Sequence, residues 1–204
     1  MLKHRRILLN TSEQALSQRE PQTRHMTPET IINFWFDEIE PKAWWVKDTE
    51  FDALIKHRFG LLVEQAKVGE LYHWRATPQG RLAEIILLDQ FCRNIHRDTP
   101  QAFTSDPLAL ALAQEAVARG ADTELKAKQV PFLFMPYMHS ESRKVHEIAM
   151  VLFNREAAAG NLEFERRHKA IIDQFGRYPH RNKILGREST PEEVEFLSQP
   201  GSSF

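Results

Sequence analysis

From Thr27 onward, apolar residues recur every three or four positions and strand-like alternation is nearly absent, and this period limits the chain to helices more firmly than any other feature. Phe51, Leu54, Ile55, Phe59, Leu62 and Ala66 share one face of a helix that starts at Asp48 or Thr49. Val145, Ile148, Ala149, Leu152 and Phe153 form a second such face, and Phe164, His168, Ile171, Ile172 and Phe175 a third. The Leu/Ala alternation of 108–112 imitates a strand. Asp106-Pro107 before it and Gly120 after it are helix start and stop signals, and the propensity of alanine makes the segment a helix. Further helices are predicted over about 27–36, 78–94, 140–158 and 190–197. Across 122–139, Pro131 and Pro136 are expected to forbid one continuous helix. Short connections predict that sequential helices pack as antiparallel neighbours, so the fold class is all-α.

A chain of 204 residues fills one sizeable core, and one helical domain over 26–204 is the expectation. Residues 1–25 read as a flexible leader, with five Lys/Arg, two Glu, no aromatic residue and little periodicity. Ile7-Leu8-Leu9 is too short for the apolar stretch of a secretion signal, and Glu13 and Glu20 spoil the acid-poor pattern of an organelle-targeting leader. Thr27-Pro28-Glu29 is a helix-start signature, which puts the start of the folded part, and the candidate natural start, at Met26. The longest aliphatic run, Ile85-Ile86-Leu87-Leu88, falls far short of the roughly 18 apolar residues that cross a bilayer, so no membrane partner is expected. A formal net charge of -1 argues against a nucleic-acid partner. The lone Cys92 makes no internal disulfide, which suits a cytoplasmic location, and its apolar helical surroundings favour packing over a catalytic thiol. The aromatic load of Phe34-Trp35-Phe36, Trp44-Trp45 and Trp74 is read mainly as core.

One segment repeats. Leu87-Leu88-Asp89-Gln90-Phe91-Cys92-Arg93-Asn94-Ile95-His96-Arg97 matches Ile171-Ile172-Asp173-Gln174-Phe175-Gly176-Arg177-Tyr178-Pro179-His180-Arg181, with six of the eleven pairs identical. Asp and Arg four apart share a helix side, so the pairs Asp89–Arg93 and Asp173–Arg177 are expected. An exposed pair of this kind contributes only about 0.3 to 0.5 kcal/mol, too little to account for two copies. Asp89 lies in a helix that is apolar nearly all round, so it should be at least partly buried and paired. The second copy is wetter, with Lys169 and Ala170 ahead of it.

Two readings of the repeat stay open. In one, both copies are structural clamps. In the other, the two helix ends converge, and Arg93, His96, Arg97, Arg177, His180 and Arg181 surround one cavity whose unspent donors hold an anion. Met135-Pro136-Tyr137-Met138-His139-Ser140-Glu141-Ser142 adds a polar cluster at a loop-to-helix junction, for which ordinary helix-start chemistry is the plain explanation. His139 and His146 stand about 10.5 Å apart along a helix, too far to share a metal ion, and no metal or other cofactor is expected. Neither a phosphate-cradling glycine loop nor a nucleophile elbow is present.

These segments carry a resemblance. Phe34-Trp35-Phe36, the Leu-Leu-Asp-Gln-Phe-x-Arg-Asn run of 87–94, Met135-Pro136-Tyr137-x-His139-Ser140-Glu141, and Gly176-Arg177-Tyr178-Pro179-His180-Arg181-Asn182 followed by Leu185-Gly186-Arg187-x-Ser189-Thr190 together cover about 31–197. In them the chain resembles the bacterial family catalogued as domain of unknown function 924. The resemblance implies an α-α superhelix of the tetratricopeptide-like kind and no established activity. Where the family tends to have proline and an aromatic residue, this chain has Cys92 and His96, which argues against His96 as a family-wide catalytic residue.

The leading expectation is a binding module whose inner surface holds a small anionic ligand or an acidic or carboxylate-ended peptide on Arg93, Arg97, Arg177, Arg181, His139 and His180. The alternative is a hydrolase-type enzyme. Its catalytic candidates are His139, His180 and Glu141, with His139 or His180 as general base and Arg93 or Arg177 stabilising developing negative charge. The oligomeric state is not readable from the sequence.

Overall fold

The computed structural model describes residues 26–203, and these form helices and connecting turns with no strand among them. The leader expected over 1–25 lies outside the described residues. The α-helices are α1 (Pro28–Asn33), α2 (Thr49–Lys67), α3 (Pro78–Ile86), α4 (Cys92–Ile95), α5 (Asp106–Ala118), α6 (Ala121–Glu124), α7 (Val130–Met138), α8 (Arg143–Phe153), α9 (Leu162–Phe175) and α10 (Pro191–Leu197). No helix of the described residues is long and apolar enough to cross a membrane.

Local chemistry sets the helix starts. Asp48 caps α2 by accepting from the backbone N–H groups of Glu50 and Phe51, and Thr77 caps α3 by accepting from Gly80. Thr190 and Glu193 form a capping box at α10, with proline at its first position. Gly176 ends α9 with φ of 72°, the left-handed stop that glycine adopts without a Cβ clash.

One large apolar core runs from α1 to α8, and a smaller cluster around Ile171, Ile172 and Tyr178 binds α9 to α10 through Phe175 and Phe196. Phe34, Trp35, Phe36 and Trp74 are buried, as their aromatic load suggests, whereas Trp45 stays exposed and stacks on Phe132. Consecutive helices α7, α8 and α9 pack on one another, and α3 packs on α1, α5 and α7.

Three expectations need correction. Residues 122–139 are indeed not one continuous helix, since α6 ends at Glu124 and α7 starts at Val130, but Pro136 is not a break, because α7 runs through it. Pro131 sits in the first turn, where no backbone donor is lost. Pro136 costs about 3 kcal/mol, which is outweighed when Phe132, Leu133, Phe134, Met135, Tyr137 and Met138 each bury about 1.5 to 3 kcal/mol of apolar surface. The helix predicted over 78–94 is not uniform, since Leu87–Phe91 widens into a π-helical turn between α3 and α4. Leu54, Ile148 and Phe164, assigned to apolar helix faces, are exposed, and on α9 Glu165 is fully buried in place of Phe164, beside His168, Ile171 and Ile172.

Candidate functional site

The π-helical turn holds the repeated Asp-Gln-Phe of the first copy, and such turns often mark functional positions. It aims Asp89, only 1% exposed, at the C-terminal end of α7. There Asp89 Oδ1 lies 2.7 Å from His139 Nδ1, and Oδ2 accepts from Gln90 Nε2 at 2.6 Å. Arg93 Nη2 stands 3.7 Å from Oδ1, so the expected Asp89–Arg93 pair is present as a looser contact.

Arg93 gives its stronger bonds to Asp106, at the start of α5, through Nη1 at 2.8 Å and Nη2 at 3.1 Å. Arg181, from the second copy, reaches the same carboxylate through Nη1 at 3.3 Å and donates from Nη2 to the His139 carbonyl at 3.1 Å. Its guanidinium is sandwiched between the rings of Phe103 and Tyr178, at 4.6 and 4.7 Å. Arg181 Nε is buried with no partner.

The two copies therefore meet, and they meet across Asp106. A cleft of about 410 Å³ opens over this meeting point. Pro100, Phe103, Pro107, Leu110, Pro136 and Leu185 form its apolar walls; Asp106, His139, Ser140, Glu141 and Arg181 supply its polar groups.

Electrostatics set the protonation of the central pair. Burial alone would raise the Asp89 carboxyl, but the facing His139 imidazole and the Arg93 guanidinium outweigh it and hold the group well below the usual carboxylate range. Burial, reinforced by Arg93, lowers His139 from its ordinary value against the pull of Asp89. An ionised carboxylate only accepts, so His139 donates from Nδ1 and carries the lone pair on Nε2. Among the described residues no hydrogen bond uses His139 Nε2, and the side chain is 17% exposed on the cleft wall.

Of the other expected site residues, Glu141 lines the cleft and the rest lie elsewhere. Arg177 is bound bidentately to Glu193 at 2.7 Å through both Nε and Nη2, so the predicted Asp173–Arg177 pair does not form; Asp173 takes Lys169 instead, at 2.6 Å. The helix ends at Gly176, which turns Arg177 away from the face that carries Asp173. Arg97 is held by Asp52 at 2.5 and 2.8 Å, and His96 Nε2 faces Lys67 Nζ at 3.1 Å. Neither lines the cleft, and of the expected ring of six basic groups Arg181 alone does so among the described residues; Arg93 reaches it only through the Asp106 carboxylate they share. His180 packs tilted against Tyr178 at 5.5 Å, and burial, with Arg181, lowers it to about 4. Glu141 accepts from both Arg187 Nη groups, at 2.7 and 3.0 Å, and from the Tyr178 backbone at 2.9 Å. Burial pushes the Cys92 thiol up, as befits a packing residue.

Sequence reasoning missed Asp106, read only as a helix start, along with Glu84, Glu165 and Glu193. Each of the three glutamates is buried and paired. For Glu84 the signal was an acid within an apolar run, Leu82-Ala83-Glu84-Ile85-Ile86, since a buried charge demands a partner; the charged surroundings of Glu165 and Glu193 carry no such signal.

An all-helical body with a carboxylate–imidazole pair on the wall of a cleft is the class that fold and site define. The chain belongs to the family described as a bacterial protein of unknown function, DUF924, whose model matches residues 31–201. It is similar to a solved structure of a protein of unknown function from Agrobacterium tumefaciens, with 36% sequence identity, a TM-score of 0.79, and coverage of 83% of this chain and 96% of that one. No curated protein matches.

Proposed function

We propose that this protein is a hydrolase-type enzyme in which His139 acts as general base on a small, partly apolar substrate held in the cleft. One observation carries the reading: Nδ1 of a largely buried imidazole is fixed by an ionised carboxylate while Nε2 is left unspent on the cleft wall. The Asp89 bond fixes tautomer and ring orientation, as the carboxylate does in a Ser-His-Asp triad. Water attacking a substrate carbonyl forms the new C–O bond and gives its proton to Nε2; as the bond to the leaving group breaks, Nε2 returns the proton to that group. Asp89 stabilises the intermediate imidazolium, and Arg181 beside His139 offsets charge on the carbonyl oxygen. A cytosolic setting fits the single buried cysteine.

The test is turnover of a panel of esters and amides with apolar acyl groups by wild type and by the His139→Gln variant. Loss of general-base catalysis predicts a fall of about 10²- to 10⁴-fold with melting temperature retained. Equal rates for the two proteins across the panel would overturn the reading.

A module that holds an anionic ligand or a carboxylate-ended peptide is the second reading. It draws support from Arg93 and Arg181 sharing one carboxylate, that of Asp106. Against it, Arg97, Arg177 and Arg187 are each matched by an acid of their own. A melting temperature raised by inorganic phosphate or citrate in wild type but not in the Arg181→Gln variant, without turnover, would favour this reading instead.

A further inference from the structure

Behind the cleft lies a second imidazole–carboxylate pair to which neither reading gives a role. His146 of α8 and Glu165 of α9 are both fully buried, and His146 Nδ1 lies 2.7 Å from Glu165 Oε1. His146 Nε2 lies 2.8 Å from the Ser140 carbonyl. A carbonyl only accepts, so the Nε2 proton is present and donated there. The Tyr178 hydroxyl, 3.2 Å from the same nitrogen, spends its own proton on the Met138 carbonyl at 2.5 Å. Met138 and Ser140 flank His139 in the chain, so the peptide groups on both sides of the candidate base are held from behind by this cluster.

The state of the pair follows from Glu165 Oε2, which is buried without a hydrogen-bond partner. A buried carboxylate with one oxygen unsatisfied is far costlier than a neutral acid whose carbonyl oxygen is unsatisfied. With Nε2 already donating, the arrangement that leaves no net charge on either group is a protonated Glu165 giving its Oε1 proton to Nδ1 of a neutral His146. Burial raises Glu165 from its ordinary value, in the same direction. The charged and titratable groups that bear on it are His146 from α8, Lys169 on its own helix, and the Tyr178 hydroxyl beyond the imidazole.

We infer that Glu165 and His146 are positioning residues: as a neutral pair sharing one proton, they hold the Ser140 carbonyl and, with Tyr178, fix the imidazole of His139 against Asp89. The inference rests on His139 being the working group of the cleft, but its test needs no substrate. Glutamine at 165 offers an N–H to Nδ1 in place of the acid proton and cannot ionise, whereas leucine offers nothing.

The experiment follows carbethoxylation of His139 by diethyl pyrocarbonate across pH, read by peptide mass spectrometry with exposed His73 as internal reference. In wild type the midpoint lies below the ordinary histidine value, because His139 is held in a buried place. The Glu165→Gln variant is expected to keep that midpoint and a near-wild-type melting temperature at neutral pH. It should also lose one slope of stability. A carboxyl whose folded value is raised contributes stability that is full below its ordinary value and falls as pH rises toward the raised one, so the wild-type decline above about pH 4.5 should flatten.

Both the Glu165→Leu and the Tyr178→Phe variants should move the His139 midpoint up toward ordinary histidine while the reference stays put. The Tyr178→Phe variant, which removes only a hydroxyl, carries this arm if the Glu165→Leu variant does not fold. An unchanged His139 midpoint in a folded Glu165→Leu or Tyr178→Phe variant would overturn the positioning role. A Glu165→Gln variant as unstable as Glu165→Leu would mark the pair as an ion pair and overturn the shared proton. Absence of turnover in the substrate panel bears on the general-base reading and leaves this result standing.

Discussion

Asp89 enters the core surrounded by Ile85, Ile86, Leu88 and Phe91, and it tolerates that position because three side chains approach its two oxygens: His139, Gln90 and Arg93. Removing one member of a buried charged pair typically costs about 3 to 5 kcal/mol, since the donors left behind lose both water and partner. Asp89→Ala should therefore destabilise the protein by about 3 kcal/mol or more in urea unfolding; a loss under about 1 kcal/mol would mean that the network relaxes without it. The burial of Asp89, and its need for a partner, were legible in the sequence. The identity of its main partner was not. His139 lies fifty positions away, whereas Arg93 is its i+4 neighbour and the obvious choice. In space the histidine wins at 2.7 Å, because Arg93 is drawn off by the bidentate fit to Asp106. The same limit hid Glu193 as the partner of Arg177. Local spacing proposes short-range pairs, and the geometry of the carboxylates chooses among them.

At the scale of the elements, periodicity located the helices and turn chemistry ended them, but neither reported the π-helical turn of Leu87–Phe91. Residues 85–92 are all buried, so the segment has no exposed face against which a shift of phase would register, and a reading built on steps of three and four passes over it. Pro136 was misjudged for a related reason: the cost of a helical proline is local, and the burial that offsets it is collective. The start of α3 adds a constraint that propensity alone would reverse. Gly80 lies in the helix, where alanine ordinarily gains about 0.8 to 1.0 kcal/mol. A Cβ there would stand 1.9 Å from the backbone oxygen of Trp74, in the 3-10 turn Tyr72–Ala76 that leads into the helix. Gly80→Ala should therefore lower the melting temperature rather than raise it, with a net loss of about 1 to 3 kcal/mol from the forced backbone shift. An increase in melting temperature would show that the turn yields freely.

Across the whole molecule, the repeated motif is used once as core and once as strap. The first copy continues a buried helix and contributes Asp89 and Arg93. In the second, Gly176 stops α9, and the chain then folds back to deliver Tyr178 and Arg181 to the end of α7 and Arg177 to α10. That difference accounts for how the basic residues are divided: the wetter setting of the second copy already indicated that the two need not do the same work, and Gly176, which stands where the first copy has Cys92, ends the helix there. Each cation at the meeting point faces an acid, with Arg93 and Arg181 on Asp106 and Arg187 on Glu141. His139 Nε2 is then the acceptor that the proposal uses, with Arg181 beside it.

The most direct measurement is the histidine ¹⁵N NMR spectrum of the intact protein at neutral pH, with His139 assigned by comparison with the His139→Gln variant. A neutral ring with the proton on Nδ1 and none on Nε2 is the expected result. A proton on Nε2, as the other tautomer or as imidazolium, would contradict it.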